Sequence, residues 1–432
     1  MGDQLLIKNA AQVVTPQGHT AIKGASMKDV KIYENASVLI EDGHIVAVGD
    51  GAEWAKTVPV DKQIDATGKT VLPGFVDSHT HFVFGGYRAD EFLWRMEGMT
   101  YMEIMERGGG INNTMKATRN ASAEELIEHS MDILEKMLAF GITTVEGKSG
   151  YGMDHDTELK QLEVMKELEQ RQPVEIVRTF MGAHSIPPEY KGRNEEFLKF
   201  LVKEVMPDVK KADLAQFCDI FCEKGVFSIE ESRQYLQQAK DMGFDLKIHA
   251  DEIVTLGGAE LGAELGCTSA DHLLHASDEG IKALANSDTV ATLLPTTAFC
   301  LKEPFAPARK MIDAGCAVAL ATDFNPGSGF TNSVPLMIAL GVIYMGMTAE
   351  EAITALTLNG AAAVGRADTI GSIEEGKQAD IVILQYPSYK FLPYHTGVNI
   401  VETVIKKAKS FIRRENDKAL IKCKAPSFRL ST

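Results

Sequence analysis

The chain has 432 residues, is 45% hydrophobic and carries a net charge of −16. That acidity excludes the cationic footprint that nucleic acid demands. The longest apolar run, residues 334–347, falls short of the ~20 residues of a membrane span and reads as a buried helix. A barrel of eight strands and eight helices takes about 250 residues, so the length leaves room for a second unit.

The N-terminal stretch lacks the basic segment and apolar core of a secretion signal. Six cysteines (Cys218, Cys222, Cys267, Cys300, Cys316 and Cys423) include no CxxC pair. Cys218 and Cys222 would share one strand face, a poor geometry for a disulfide. All six are expected as reduced, mostly buried thiols of a cytoplasmic protein.

The first seventy residues are β-rich. "ASVLIEDGHIVAVGD" alternates apolar residues around Asp42-Gly43, a hairpin signal. "LLIKNAAQVVT" and "KQIDATGKTVL" read as further short strands. After "VLPGF" the rhythm changes to short apolar runs alternating with helical patterns. Eight strand candidates follow: "FVDSHTH", "ITTVEGKSG", "IVRTFMGAH", "FCDIFCEKG", "LKIHADE", "TSADHLLH", "VATLLPTT" and "VALATDFNPG". Between them, Ser122 with Glu125 three residues on marks a helix start, and Gly141 marks its stop. "IEESRQYLQQAKDMG" ends on Gly243 in the same way. Past residue 370 short strands return. The expected architecture is a (β/α)8 TIM-like barrel over 71–370, with a smaller β-sandwich domain built from 1–70 and 371–432.

Nearly every unusual His, Asp or Glu lies at the C-terminal end of a strand candidate, where barrel active sites form. His79 and His81 are two apart, so a strand aims both the same way. His249 ends the fifth candidate and Asp323 the eighth. Taken singly, His249 reads as a satisfied core histidine and Asp323 as a turn residue. Together, three imidazoles and a carboxylate suit a divalent ion with room for a water. Glu252 leaves the fifth strand just past His249 and can reach that water or a substrate nitrogen. His272 ends the sixth candidate and can stabilise charge developing on a carbonyl oxygen.

These residues resemble the amidohydrolase superfamily, through "PGFVDSHTH", "HADE", "ADH", "TDFNPGS" and "GSIEEGKQADIVIL". Longer strings, "HFVFGGYRADEF", "GGGINNTMKATR", "EGKSGYG", "TFMGAHSIPPEY" and "LGGAELGAELG", are similar to its imidazolonepropionase family. The resemblance spans nearly the whole chain. It implies one divalent metal per subunit, zinc or iron, on His79, His81, His249 and Asp323. It implies substrate contacts at Arg88, Tyr151, His184, Glu252 and Ser328, with Asn325 and Gly327 lining the same loop, and a homodimer. The implied reaction is hydrolytic ring opening of 4-imidazolone-5-propanoate to N-formimidoyl-L-glutamate, with Glu252, His272 and Asp323 catalytic. An arginine fork suits the propanoate.

A deaminase of the cytosine or guanine kind, acting on an aminated heterocycle, shares the HxH, HxxE, sixth-strand His and final Asp but has no need of Arg88. A metal-binding scaffold without turnover is the reading outside enzymology, and every ligand and acid–base group being present counts against it. Two departures stand out. Many superfamily members bridge two metals with a fourth-strand lysine, and here that strand ends "CEKG" with Lys224; one ion is expected, as in the resembled family. "VIKKAKSFIRREN" lacks the glycine expected at its turn.

Overall fold

The computed structural model describes residues 3–99, 103–104 and 107–413. Strands β1 (Gln4–Thr15), β2 (Lys31–Glu41), β3 (His44–Gly49), β4 (Gln63–Asp65) and β5 (Thr70–Pro73) open the chain. The barrel strands follow: β6 (Phe75–Asp77), β7 (Ile142–Lys148), β8 (Glu175–Ala183), β9 (Phe217–Cys222), β10 (Asp245–Ala250), β11 (Ser269–His272), β12 (Val290–Leu293) and β13 (Val318–Leu320). Then come β14 (Ile381–Leu384), β15 (Val401–Lys406) and β16 (Lys409–Arg413).

All eight strand candidates of the central region are strands, and each pairs in parallel with the next along the chain. The ring closes just beyond the named strands. Thr80 bridges Phe324, Asp323 N–H donates to His79 O (3.0 Å), and His81 N–H donates to Phe324 O (2.9 Å). The segments that carry the expected ligands therefore also close the barrel. Helices Ala123–Ala139 and Ile229–Asp241 start with full capping boxes at Ser122/Glu125 and Ser228/Glu231. Such a cap satisfies two otherwise orphaned N–H groups. The apolar helix Val334–Ile343 is buried along most of its length, but Ile343 at its end and Tyr344 beyond it are exposed.

The strands from the two ends form one mixed sheet in the order β16-β15-β14-β5-β1-β2-β3, with β4 beside β1. The expected division at residue 70 falls within β5, which is bonded wholly into this sheet. Strand alternation sorts its side chains. Ile381 and Ile383 join Ile7, Val38, Ile40 and Val71 in the sheet's own core. Val382 and Leu384, on the other face, join Leu72 and Val404 in the barrel's core. The β2–β3 turn has φ of 49° at Asp42 and 82° at Gly43, as a two-residue hairpin turn requires. The β15–β16 turn forms without glycine, with Lys407 at φ 51° and Ala408 at 66°.

Cys218, Cys222, Cys267 and Cys316 are buried, Cys300 is half-buried, and all five are free. Cys423 and the last dozen residues lie outside the described residues. No helix among the described residues is long and apolar enough to cross a membrane.

Candidate active site

The expected donors converge at the C-terminal mouth of the barrel. His79 Nε2 lies 3.6 Å and His81 Nε2 3.8 Å from Asp323 Oδ1. The His79 ring centre is 4.5 Å from that of His249, which is 5.0 Å from that of His272. Two overlapping donor groups result, His79–His81–Asp323 and His79–His249–His272, sharing His79. All five side chains are buried. His272 and Asp323 adopt left-handed φ values of 76° and 49°, as does Asp251 (49°) just after β10. For residues with a Cβ that conformation costs roughly 1–2 kcal/mol. Such strain gathers where a site dictates the direction of a side chain.

Several of these nitrogens have no hydrogen-bond partner: His79 Nε2, His81 Nδ1, both nitrogens of His249, and His272 Nδ1. Buried polar atoms rarely go unpaired. Burial and neighbouring cations hold His79, His81 and His272 well below the usual histidine range, so their lone pairs are free to ligate. The donor set fits a divalent ion. Burial pushes Asp323 up to about 6, against the pull of Thr297, which donates to Oδ2 at 2.8 Å. Burial and the Asp323 charge push Glu252 up to about 8. Its Oε2 is 3.6 Å from His272 Nε2. The loop bearing Glu252 is clamped from both sides. Glu223 accepts from Ile253 N–H (2.8 Å), and Asp251 accepts from the N–H groups of residues 256–259.

Beneath the histidines lies a charged layer that the sequence reading did not single out. Glu146, Lys148, Asp219, Lys247 and Asp271 are all 0% exposed. Asp271 Oδ2 accepts from His79 Nδ1 at 2.6 Å. Asp219 Oδ2 is 3.1 Å from His249 Nδ1, off the line of a full hydrogen bond. The signal was present in the strand period. Glu146 with Lys148, and Lys247 with His249, are two apart and so share an inward face. Lys224, in contrast, is exposed beyond the end of β9 and takes no part in the site.

The expected substrate contacts surround the same mouth. Arg88 Nε donates to Glu91 Oε2 (2.8 Å), and Glu91 is itself held by Gly110 N–H and Asn113 Nδ2. The "GGGINN" string thus steadies the arginine. A Cβ on Gly327 would stand 2.1 Å from Arg88 Nη1, so the guanidinium could not keep its present place beside a larger residue. Tyr151 is buried, its ring 5.3 Å from His184, and His184 stacks on His81 at 4.7 Å. Burial, then His249, hold His184 down to about 3. Asn325 Oδ1 accepts from Gly327 and Ser328 N–H at 2.8 Å each, and its Nδ2 donates to Asp323 O at 2.8 Å. That fixes the loop carrying the last ligand candidate.

The Amidohydrolase family model matches residues 70–412, the whole barrel and nearly all of the returning strands. The chain belongs to the amidohydrolase family. Within that family it is 62% identical over 404 residues to a protein of Clostridium tetani named imidazolonepropionase, covering 93% of this chain and 96% of that one. A Parabacteroides distasonis protein of the same name is 58% identical, over 93% and 97% of the two chains. Among solved amidohydrolase-like folds, an atrazine chlorohydrolase variant of Arthrobacter aurescens complexed with zinc and atraton superposes with a TM-score of 0.71 at 17% identity, covering 95% of each chain. A zinc-bound adenosine deaminase of Xanthomonas campestris gives 0.66 at 18% identity, over 95% and 93%. At those identities the solved structures speak to the fold alone.

Proposed function

We propose that this protein hydrolyses 4-imidazolone-5-propanoate to N-formimidoyl-L-glutamate, with one divalent ion, zinc or iron, on His79, His81, His249 and Asp323. The observation that carries the reading is 57–62% identity, over 93% or more of the chain, to proteins named for that activity. A divalent ion supplies a nucleophile from water at neutral pH and polarises a carbonyl oxygen. Asp323 accepts the proton of the attacking water. The new C–O bond forms at the ring carbonyl carbon, and His272 donates its N–H to the developing oxyanion. As the ring C–N bond breaks, Glu252 delivers its proton to the leaving nitrogen. Burial pushes the Glu252 carboxyl up to about 8, which favours the protonated form that this step needs.

Arg88 and Tyr151 grip the propanoate, His184 packs against the ring, and Asn325, Gly327 and Ser328 line its far edge. The protein acts as a cytoplasmic homodimer, a state light scattering measures. Elemental analysis of the purified protein decides between zinc and iron. The test of the reaction is turnover of imidazolone propanoate, followed by loss of the ring chromophore with the product identified by mass. Formimidoylglutamate, abolished by a chelator, is expected. Ammonia release from an aminated heterocycle, with the imidazolone left intact, would replace this reading with the deaminase one.

A further inference from the structure

Under the histidines, three carboxylates and two ammonium groups are sealed from water: Glu146, Asp219, Asp271, Lys148 and Lys247, each 0% exposed. Lys148 Nζ lies 2.7 Å from Asp219 Oδ2, 3.0 Å from Glu146 Oε1 and 3.5 Å from Asp271 Oδ2. Lys247 Nζ lies 3.0 Å from Glu146 Oε2 and 3.4 Å from Ser78 O. The two lysines are thus alike in burial and share Glu146, but only Lys148 reaches both carboxylates that face imidazoles. Asp271 is on His79 Nδ1 and Asp219 is beside His249 Nδ1.

We infer that Lys148 is a positioning residue: its ammonium pins Asp219 and Asp271 in place so that His249 and His79 present Nε2 to one ion. A carboxylate on Nδ1 fixes both the tautomer and the ring plane of a ligating histidine. Two carboxylates joined to one cation cannot swing apart, and their charges are compensated where water cannot do it. The same cation explains why a third donor group, His79–Glu146–Asp271, is not a second metal position. Its carboxylates are already ion-paired with Lys148 and Lys247. The inference rests on the metal reading of His79 and His249 given above.

The test compares Lys148→Met with Lys247→Met in the full chain. Each is stripped of metal and titrated with Co²⁺ against a chromophoric chelator, and the visible spectrum of the loaded protein is recorded. Lys148→Met is expected to weaken Co²⁺ binding about tenfold, the low end of the cost of disturbing an outer partner of a ligating histidine, and to shift the Co²⁺ bands. Lys247→Met is expected to lower the melting temperature with affinity within about threefold. Wild-type affinity and spectrum in Lys148→Met would overturn the inference, as would equal losses in both variants, which mark a merely structural role. Should Lys148→Met fail to fold, Lys148→Gln replaces it, since it keeps a polar head but removes the charge that holds the two carboxylates. The same loss supports the inference and unchanged affinity overturns it. If the wild type binds no Co²⁺, the metal reading itself fails, a result distinct from either.

Discussion

The small sheet and the barrel bury their polar groups in opposite ways. The sheet's interior is dominated by an apolar cluster running from Leu5 and Ile7 to Ile383 and Ile405. A buried ion pair, Lys406 with Asp380 at 2.7 Å, sits where Lys406 also reaches Thr144 and Glu175 of the barrel. The barrel's upper interior instead holds histidines, carboxylates and lysines at the place where a fold built for stability alone would hold valine and isoleucine. Buried charge contributes little to stability even when paired, and backbone strain at His272 and Asp323 adds to the cost. Such a region persists for what it does, whereas the sheet holds the two ends of the chain together.

That contrast can be broken or sharpened by substitution. The largest effect is expected from Asp323→Asn, which keeps the side-chain shape and removes the base. Turnover should fall at least 10²–10⁴-fold, about the worth of a positioned acid–base group, with an unchanged circular dichroism spectrum. Next, Arg88→Ala should raise KM roughly tenfold to a hundredfold, from the ~1.5–3 kcal/mol of a charged hydrogen bond, with a smaller change in kcat. An unaltered KM would remove Arg88 from the substrate. In the sheet the pattern should invert. Ile383→Ala should cost about 2–5 kcal/mol of stability in denaturant titration and leave kcat per folded molecule unchanged. The smallest effect belongs to the turn without glycine. Ala408→Gly relieves a φ of 66° and should raise stability by roughly 1 kcal/mol, with no kinetic consequence.

The two regions also differed in how far they could be read in the sequence. The hairpin at Asp42-Gly43, the cap at Ser122, the helix stop at Gly243, and all eight barrel strands were legible, because each rests on local chemistry or a short period. His79, His81, His249, His272 and Asp323 were legible as polar residues at strand ends. The layer below them was not singled out. Asp219 in "FCDIFC" is one carboxylate in a strand, and its partner Lys148 is 71 residues away. Only the fold brings them to 2.7 Å. The role of Glu91 in steadying Arg88 depends on a loop contact with Gly110, 19 residues on. The strands around Lys407-Ala408 were legible, but their turn was expected to carry a glycine, and the chain makes it instead with both residues at positive φ.

The most direct test of the central claim is a crystal structure of the metal-loaded protein with anomalous data at the metal edge. One peak is expected in each barrel, with His79, His81 and His249 nitrogens and an Asp323 oxygen at about 2.0–2.2 Å, and Lys148 still between Asp219 and Asp271. A second peak among His79, Glu146 and Asp271, or a single peak that leaves Asp323 or His249 unligated, would contradict it.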